Sequence, residues 1–596
     1  MKPVDAKNLV LMFEAQAAQQ GDKTVMTFKR DGRWQEISWK EAARRARDVS
    51  DGLAAVGVKP GDRVALIGDT SAEWIICDLG IMGAGAITVP IYQSNPAHEV
   101  QYILDDCRAV WVLLDHEHQA EKIRSQADRL PALKGVVRFH GAPQADHERT
   151  LHALEQAGQE WRKANPAAHD ARMAGVGPED AASILYTSGT TGNPKGVVLT
   201  HGNWTYEARG AEEMKILNHE DLVLMFLPMA HSFAKVIEAA WLVVGCTVAF
   251  VESIEKLVDN AQEIRPTVMP SVPRIFEKAY NAVLTKGLAT PGLKGWLFGI
   301  TMNGFDAWAE GQEKGIEVRT VGFRMGEKLV FPKLAASLKE RFGGRMRLFV
   351  SGGAPLPSKV QRFFLLCGFT LLEGWGLTET SAGTCVNRIG ANKVGTVGPP
   401  FPGTEIKIAE DGEILVKGGG VMKGYYNRPD ATAEVLKDGW LLTGDIGEVD
   451  ADGYVKITDR KKDLIKTSGG KYVAPQNLEN ELKMDPLISQ VLVHGDQRKF
   501  VSALVTLNLE AARAWATEHG ISEEASLHDE PRMIARIQHA VDALNARQAG
   551  YATIKRFAIL AEDFTQEAGT LTPTLKVKRK VVAQRQKALL DSFYAE

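Results

Sequence analysis

The sequence predicts an α/β protein, with a large N-terminal domain of αβ-layered sheets, a β subdomain and a small separate C-terminal domain. Three observations carry that reading. Short apolar runs alternate with helical stretches through the first part of the chain, which implies parallel sheet with helices on its faces. From about residue 395 the chain turns glycine-rich, with short strands such as Glu413 to Lys417. The charged run Asp459-Arg460-Lys461-Lys462-Asp463 suits a linker, and 596 residues leave room for more than one domain. The expected domains are residues 1–458, with the β subdomain over about 395–458, a linker at 459–463, and residues 464–596.

Each element has its own signal. Thr24 to Phe28 and Trp34 to Ser38 read as strands. Ser38-Trp39-Lys40-Glu41 has the form of a capping box, so a helix should run from there to about Val56, stopped by Gly57 with Pro60 beyond. Strands follow at 62–67, 86–90 and 109–114, with helices at 71–82 and 100–106 between them. Residues 83–88 half resemble a dinucleotide fingerprint, but the third glycine is missing and no helix follows at once. Residues 115–180 are polar and helix-rich, as in a surface excursion. Asp221 to Leu227 is a strand leading into Pro228-Met229-Ala230-His231-Ser232-Phe233. Residues 285–345 are helical, basic and amphipathic, including Arg319, Arg324, Lys328, Lys333 and Lys339. They read as a solvated insertion or as a surface facing a membrane or partner. Arg347 to Ser351 is a strand that ends in Gly352-Gly353-Ala354-Pro355.

Composition narrows the function classes. A net charge of −3 gives no reason to expect nucleic-acid binding. Five scattered cysteines show no metal-ligand spacing, so a reduced cytoplasmic protein is the simplest reading. No basic segment followed by an apolar core opens the chain, and the most apolar stretch, 236–251, contains Glu238 and is short for a membrane span. Peripheral membrane contact stays open.

The whole chain is organised around Tyr186 to His201, YTSGTTGNPKGVVLTH, a polar loop between two apolar strands. Gly189, Gly192 and Gly196 let backbone approach a ligand. Thr187, Ser188, Thr190 and Thr191 add hydroxyls, and Lys195 adds a positive charge. Such a loop suits a polyphosphate. It is not the common P-loop, because Lys195 precedes Gly196 instead of following it.

These residues resemble the signature loop of the acyl-adenylate-forming enzymes, which include acyl-CoA synthetases, peptide-synthetase adenylation domains and luciferases. The resemblance extends from about residue 20 to the end, and implies a mobile α+β C-terminal domain. It makes Thr187 to Gly192 and Lys195 nucleotide-binding residues.

Glu373-Gly374-Trp375-Gly376-Leu377-Thr378-Glu379-Thr380 resembles the family's Tyr-Gly-x-Thr-Glu motif, with Trp375 where tyrosine is usual. A carboxylate beside a phosphate loop needs a bridging cation, and Mg²⁺ takes carboxylate and phosphate oxygens together. The resemblance makes Glu379 and Ser188 metal ligands and gives Thr378 a catalytic place, whereas Glu379 alone would read as a surface residue. Trp375 offers a face for adenine. Gly353 and Ala354, with Glu373 and Gly374, resemble adenine-contacting segments.

Asp445 resembles a ribose-binding carboxylate and Arg460 its companion; each alone would read as a loop charge. Lys462 stands at the family's hinge, often aspartate elsewhere. Lys466 corresponds to a nucleotide-contacting lysine, and Gly469 and Gly470 to a loop approaching the pantetheine thiol of CoA. The terminal LTPTLKVKR resembles the family motif whose lysine contacts the reacting carboxylate and α-phosphate, here Lys576, though on composition alone it is a basic tail. His231 resembles a histidine that positions the substrate carboxylate.

LPMAHSF, EGWG, the 285–345 insertion and the terminal motif resemble long-chain fatty acyl-CoA synthetases most. Ala234 and Lys235 depart from the acidic or aromatic residues usual after that histidine. The resemblance implies ATP, Mg²⁺ and CoA, with a long-chain fatty acid as substrate. An acyl-AMP ligase that loads a carrier protein is the alternative; luciferase-like oxygen chemistry and a nucleotide-binding scaffold are further ones.

Overall fold

The computed structural model describes residues 1–187, 193–522, 524–566, 568–572 and 576–595. Two eight-stranded sheets dominate the first 425 residues. The first runs, in spatial order, Cys385–Val386, Thr370–Trp375, Leu348–Ser351, Val268–Ser271, Leu222–Met225, Thr247–Phe250, Thr24–Arg30 and Arg33–Ser38. The second runs Gly424–Tyr425, Lys195–Thr200, Ala181–Thr187, Ile87–Ile91, Arg63–Ile67, Trp111–Leu114, Gly135–Arg138 and Glu148–Thr150. Pairing inside each sheet is mostly parallel; antiparallel strands close both edges of the first sheet and one edge of the second, whose other edge strand, Glu148–Thr150, is parallel.

Helices between the sheets join them. Every residue of Ala72–Gly83 is buried, which is why its sequence is mainly apolar, with its two carboxylates, Glu73 and Asp78, paired to Arg30 and Lys235. It shares one continuous core with Trp39–Ala55 and Ser232–Val244, where the Trp39 ring lies 5.8 Å from both Phe13 and Trp241. The sequence signals act locally as expected. Ser38 accepts the Glu41 amide at 3.2 Å, and Trp39–Ala55 stops before Gly57, which has φ +83°.

One expectation is corrected. Residues 115–180 are not merely a surface excursion, since Gly135–Arg138 and Glu148–Thr150 extend the second sheet and Gly135–Arg138 is fully buried. Their four- and three-residue lengths leave too little periodicity to read. Leu371 to Trp375 lie in the strand Thr370–Trp375.

Residues 273–341 fold as four helices, Pro273–Leu288, Gly292–Glu313, Val321–Leu329 and Phe331–Arg341, around their own aromatic core of Phe298, Phe305, Phe323 and Phe331. A five-stranded sheet spans Glu405 to Arg460. Beyond it, Ile488–His494, Val501–Leu507 and Ile554–Leu560 form a three-stranded sheet with helices Pro475–Leu482 and Pro531–Asn545 and a core of its own.

Candidate active site

The central loop joins Ala181–Thr187 to Lys195–Thr200, which pair antiparallel with Thr187 opposite Lys195. Ser188, Gly189, Thr190, Thr191 and Gly192 lie outside the described residues. Gly196 has a reason of its own to be glycine, because a Cβ there would sit 2.7 Å from Ile184 Cγ2 and 3.1 Å from the Tyr186 ring. The Tyr186 hydroxyl donates to Asp106 at 2.6 Å, and Arg428 holds the other Asp106 oxygen at 2.9 Å. The loop's first strand is thus tied to the helix Ala97–Asp106.

Glu379 sits in the short turn Thr378–Thr380. The chain leaves this turn through Ser381 and Ala382, both at positive φ (57° and 73°), and a side-chain bond from Ser381 to the Gly420 carbonyl pins them. The Glu379 carbonyl accepts the Met422 amide, and its Oε1 accepts the Tyr425 hydroxyl, both at 2.8 Å. Among the described residues no hydrogen bond reaches Oε2. Lys195 Nζ lies 5.0 Å from the centre of the Tyr425 ring. Tyr425 therefore links the carboxylate to the loop lysine, a role that a lone tyrosine after glycine did not advertise. One braced, one open carboxylate oxygen beside a phosphate-type loop fits the donor set of Mg²⁺, a hard cation that shares carboxylate and phosphate oxygens. Thr378 reaches Ser232, with 3.4 Å between the hydroxyls.

Ser232 begins the helix that His231 caps, its Nδ1 accepting the Phe233 amide at 3.0 Å. Burial, and then the nearby Lys576 ammonium, lowers the His231 pKa to about 4, so the ring is neutral at neutral pH. Lys235, on the same helix, is buried between Asp78 and Glu238. Its departure from the family pattern is answered by an ion cluster inside the protein.

Among the residues expected to meet the adenine, Gly353 has φ +81°, is exposed, and has no atom within 4 Å of a Cβ position. Ala354 beside it is also exposed. Glu373 takes a different place from its neighbours. It is buried, it accepts the Leu356 amide at 2.9 Å, and burial pushes its pKa up to about 8. It braces the 352–356 turn from beneath, while Gly374 and Trp375 stay partly open. The Trp375 indole donates to Asp445 Oδ2 at 2.8 Å, and Arg460 approaches Oδ1 at 3.2 Å. Asp445 thus has a protein donor on each oxygen, and the tryptophan at this position supplies one of them.

Lys461 bonds Glu413 at 2.8 Å and its amide bonds the Gly444 carbonyl, so the chain is anchored to the β subdomain up to this residue. Lys462 is the next residue and is exposed. Past it, Gly469 and Gly470 form the exposed tip of the hairpin Ile465–Lys466 and Tyr472–Val473, where Lys466 covers the Tyr472 ring at 5.5 Å. Among the described residues no hydrogen bond, ion pair or ring contact joins residues 466–472 to the large domain.

Lys576 does the opposite. It lies at the base of a hairpin in which its amide bonds Thr572 at 3.0 Å; residues 573–575 are outside the described set. Its charge is felt by His231 and Asp445. Its own pKa falls to about 8, by lost hydration and then by the Arg460 guanidinium, against attraction from Asp445 and Asp463. Lost hydration is the largest cause of the shift, although part of the residue stays exposed. Lys578 Nζ nearby is 3.9 Å from Glu99 of the large domain.

The chain belongs to the AMP-binding enzymes: that family's model matches residues 13–426, and the model of the AMP-binding enzyme C-terminal domain matches residues 462–596. Among its relatives, a long-chain-fatty-acid–CoA ligase of Mycobacterium bovis is 40% identical over 95% of this chain and 93% of its own. Fatty acyl-CoA synthetase A of Dictyostelium discoideum is 31% identical over 97% and 88%. The adenylation domain of a carboxylate reductase from Mycobacterium chelonae shares the fold, with a TM-score of 0.77 at 20% identity over 100% of this chain and 92% of that one.

Proposed function

We propose that this protein is a long-chain fatty acid–CoA ligase that works through an acyl-adenylate. The observation that carries the reading is the convergence of Lys576 from the C-terminal domain with His231 and the Asp445–Arg460 pair of the large domain. In the first half-reaction a carboxylate oxygen of the fatty acid attacks the α-phosphorus of ATP. One P–O bond forms, the bond to the β-phosphate oxygen breaks, and pyrophosphate leaves. The Lys576 and Lys195 charges offset the negative charge that gathers on the phosphoryl oxygens. The neutral His231 positions the acid without competing for a proton. Trp375, Gly353 and Ala354 receive the adenine and Asp445 the ribose. Residues of the 188–192 loop contact the phosphates.

Glu379, with Ser188, would hold Mg²⁺, which supplies a Lewis acid to the phosphate oxygens. In the second half-reaction the C-terminal domain rotates about Lys462, Lys576 withdraws, and the Gly469–Gly470 tip approaches with CoA. The thiolate then attacks the acyl carbon and AMP departs with the phosphate oxygen. Lys466 follows the hinge and turns with that domain. Five free, buried cysteines accord with a cytoplasmic setting.

The test is ATP-dependent release of AMP and pyrophosphate with free fatty acids of graded length, with and without CoA. Long acids should turn over, with thioester accumulating only with CoA. Acyl-AMP that forms and then passes to an acyl carrier protein instead of CoA would establish the carrier-loading alternative.

A further inference from the structure

The surface of the protein is uneven in one respect. Among the described residues, seven of the sixteen exposed large apolar side chains fall between residues 288 and 329. Five stand on the helices Gly292–Glu313 and Val321–Leu329, Ile316 lies in the connection between them, and Leu288 ends the helix before.

The two helices pack antiparallel and close. A Cβ on Gly322 would lie 2.6 Å from the Ile300 carbonyl, one on Gly326 would lie 2.1 Å from Thr301 Cγ2, and one on Gly311 would lie 2.8 Å from Val318 Cγ2. This register fixes what stands on the outer face. Val321, Met325 and Leu329 recur every four residues and form an exposed stripe along one helix. Leu293 and Trp296 stand exposed on the other, at the end that the antiparallel register sets beside Met325 and Leu329. Leu293 is 77% exposed, Trp296 60% and Val321 75%, so they are not the rim of a core. The core of these helices is on the other side, where Phe298, Phe305 and Phe323 are buried. The outer patch is flanked by Lys294, Arg324 and Lys328, which have no ion-pair partner among the described residues. The acidic neighbours are engaged elsewhere, Glu327 by Arg319 and Asp306 by Lys359.

We propose that this helix pair is a docking surface for an anionic lipid bilayer, entered by the apolar stripe and held by the three basic residues. An exposed apolar stripe flanked by cations is the pattern that lies in a headgroup boundary. The charge distribution selects this occupant over a second copy of the chain. A two-fold pairing through this face would gather both copies of Lys294, Arg324 and Lys328 at one interface, with Glu327 and Asp306 already engaged by Arg319 and Lys359. No described helix is long and apolar enough to cross a membrane, so contact of this kind is peripheral. None of these residues is among those assigned to the chemistry, so binding and catalysis are separable.

The experiment is co-sedimentation of the full chain, without nucleotide or fatty acid, with vesicles of phosphatidylcholine alone or mixed with phosphatidylglycerol. The intact protein should bind the anionic vesicles and release them at high salt. The triple variant Lys294→Ala, Arg324→Ala, Lys328→Ala should bind on the order of a hundredfold more weakly, at about fivefold per basic residue near the surface. The double variant Leu293→Ser, Trp296→Ser should also lose binding. Both should keep a native circular-dichroism spectrum and activity on a water-soluble acid. Four results would overturn the proposal: no binding by the intact chain, equal binding to neutral vesicles, unchanged binding by both variants, or a dimer in solution that the double variant abolishes.

Discussion

Tyr425→Phe isolates one atom of the candidate site. The hydroxyl donates to Glu379 Oε1 at 2.8 Å, while the ring lies 5.0 Å from Lys195 Nζ. Burial and the Glu379 charge hold the phenol proton well above its ordinary range, so the hydroxyl is a donor at any assay pH. Phenylalanine removes the donor and keeps the ring. A hydrogen bond to a charged acceptor contributes about 1.5–3 kcal/mol. Both groups are part-exposed, which favours the lower figure and a loss of roughly tenfold in rate. Tyr425→Ala also removes the cation–π contact, about 0.5–1 kcal/mol more at an exposed site. The assay is fatty-acid-dependent pyrophosphate release at graded Mg²⁺. The Phe variant should need more Mg²⁺ to reach half its maximal rate, and its defect should shrink as Mg²⁺ saturates. A Phe variant with the wild-type rate and Mg²⁺ midpoint would refute the idea that Tyr425 orients a metal-binding carboxylate.

Other outcomes follow from the same geometry. Lys576→Ala should lower acyl-adenylate formation by several hundredfold, on the order of 3–4 kcal/mol, while calorimetry still detects ATP binding; normal adenylation would remove Lys576 from the mechanism. Because its pKa in the free protein is lowered to about 8, the charged form is lost as pH rises through that value, so kcat/KM for adenylation should decline there. Lys576→Arg should carry the plateau to higher pH, and a flat profile in the native enzyme would contradict the assignment. Trp375→Phe keeps an aromatic face but deletes the donor to Asp445; KM for ATP should rise by about tenfold at most, from a hydrogen bond of about 1.5 kcal/mol. Glu373 has a folded-state pKa raised to about 8 from an ordinary 4.5. The native state therefore holds a proton that the unfolded chain releases, and stability falls as pH rises from about 4.5 to about 8. Glu373→Gln should remove that fall in a denaturant titration, by at most about 5 kcal/mol at about 1.4 kcal/mol per pH unit.

The sequence alone determined the alternation of strands and helices, several caps and the residue types of the site. These are local properties: Ser38 caps because Glu41 is three residues away, and Thr187 faces Lys195 because a short connection joins two adjacent strands. It also separated the β-rich stretch from what precedes it, because composition changes there.

What only the tertiary structure decided depends on residues distant in the chain. Tyr425 was invisible as the brace of Glu379, since a two-residue edge strand is what delivers it to the loop lysine. Glu373 looked like its neighbours in EGWGLTET, yet it ends the buried run 371–373 and accepts the Leu356 amide, while Gly374 and Trp375 beyond it remain partly open. The two short strands between residues 135 and 150 carry too few residues to reveal a period, and only a neighbouring strand makes them sheet. The amphipathic helices at 285–345 were legible as helices. Which apolar residues they hide and which they present could not be read, because that choice is made by the glycines at which one helix closes on another.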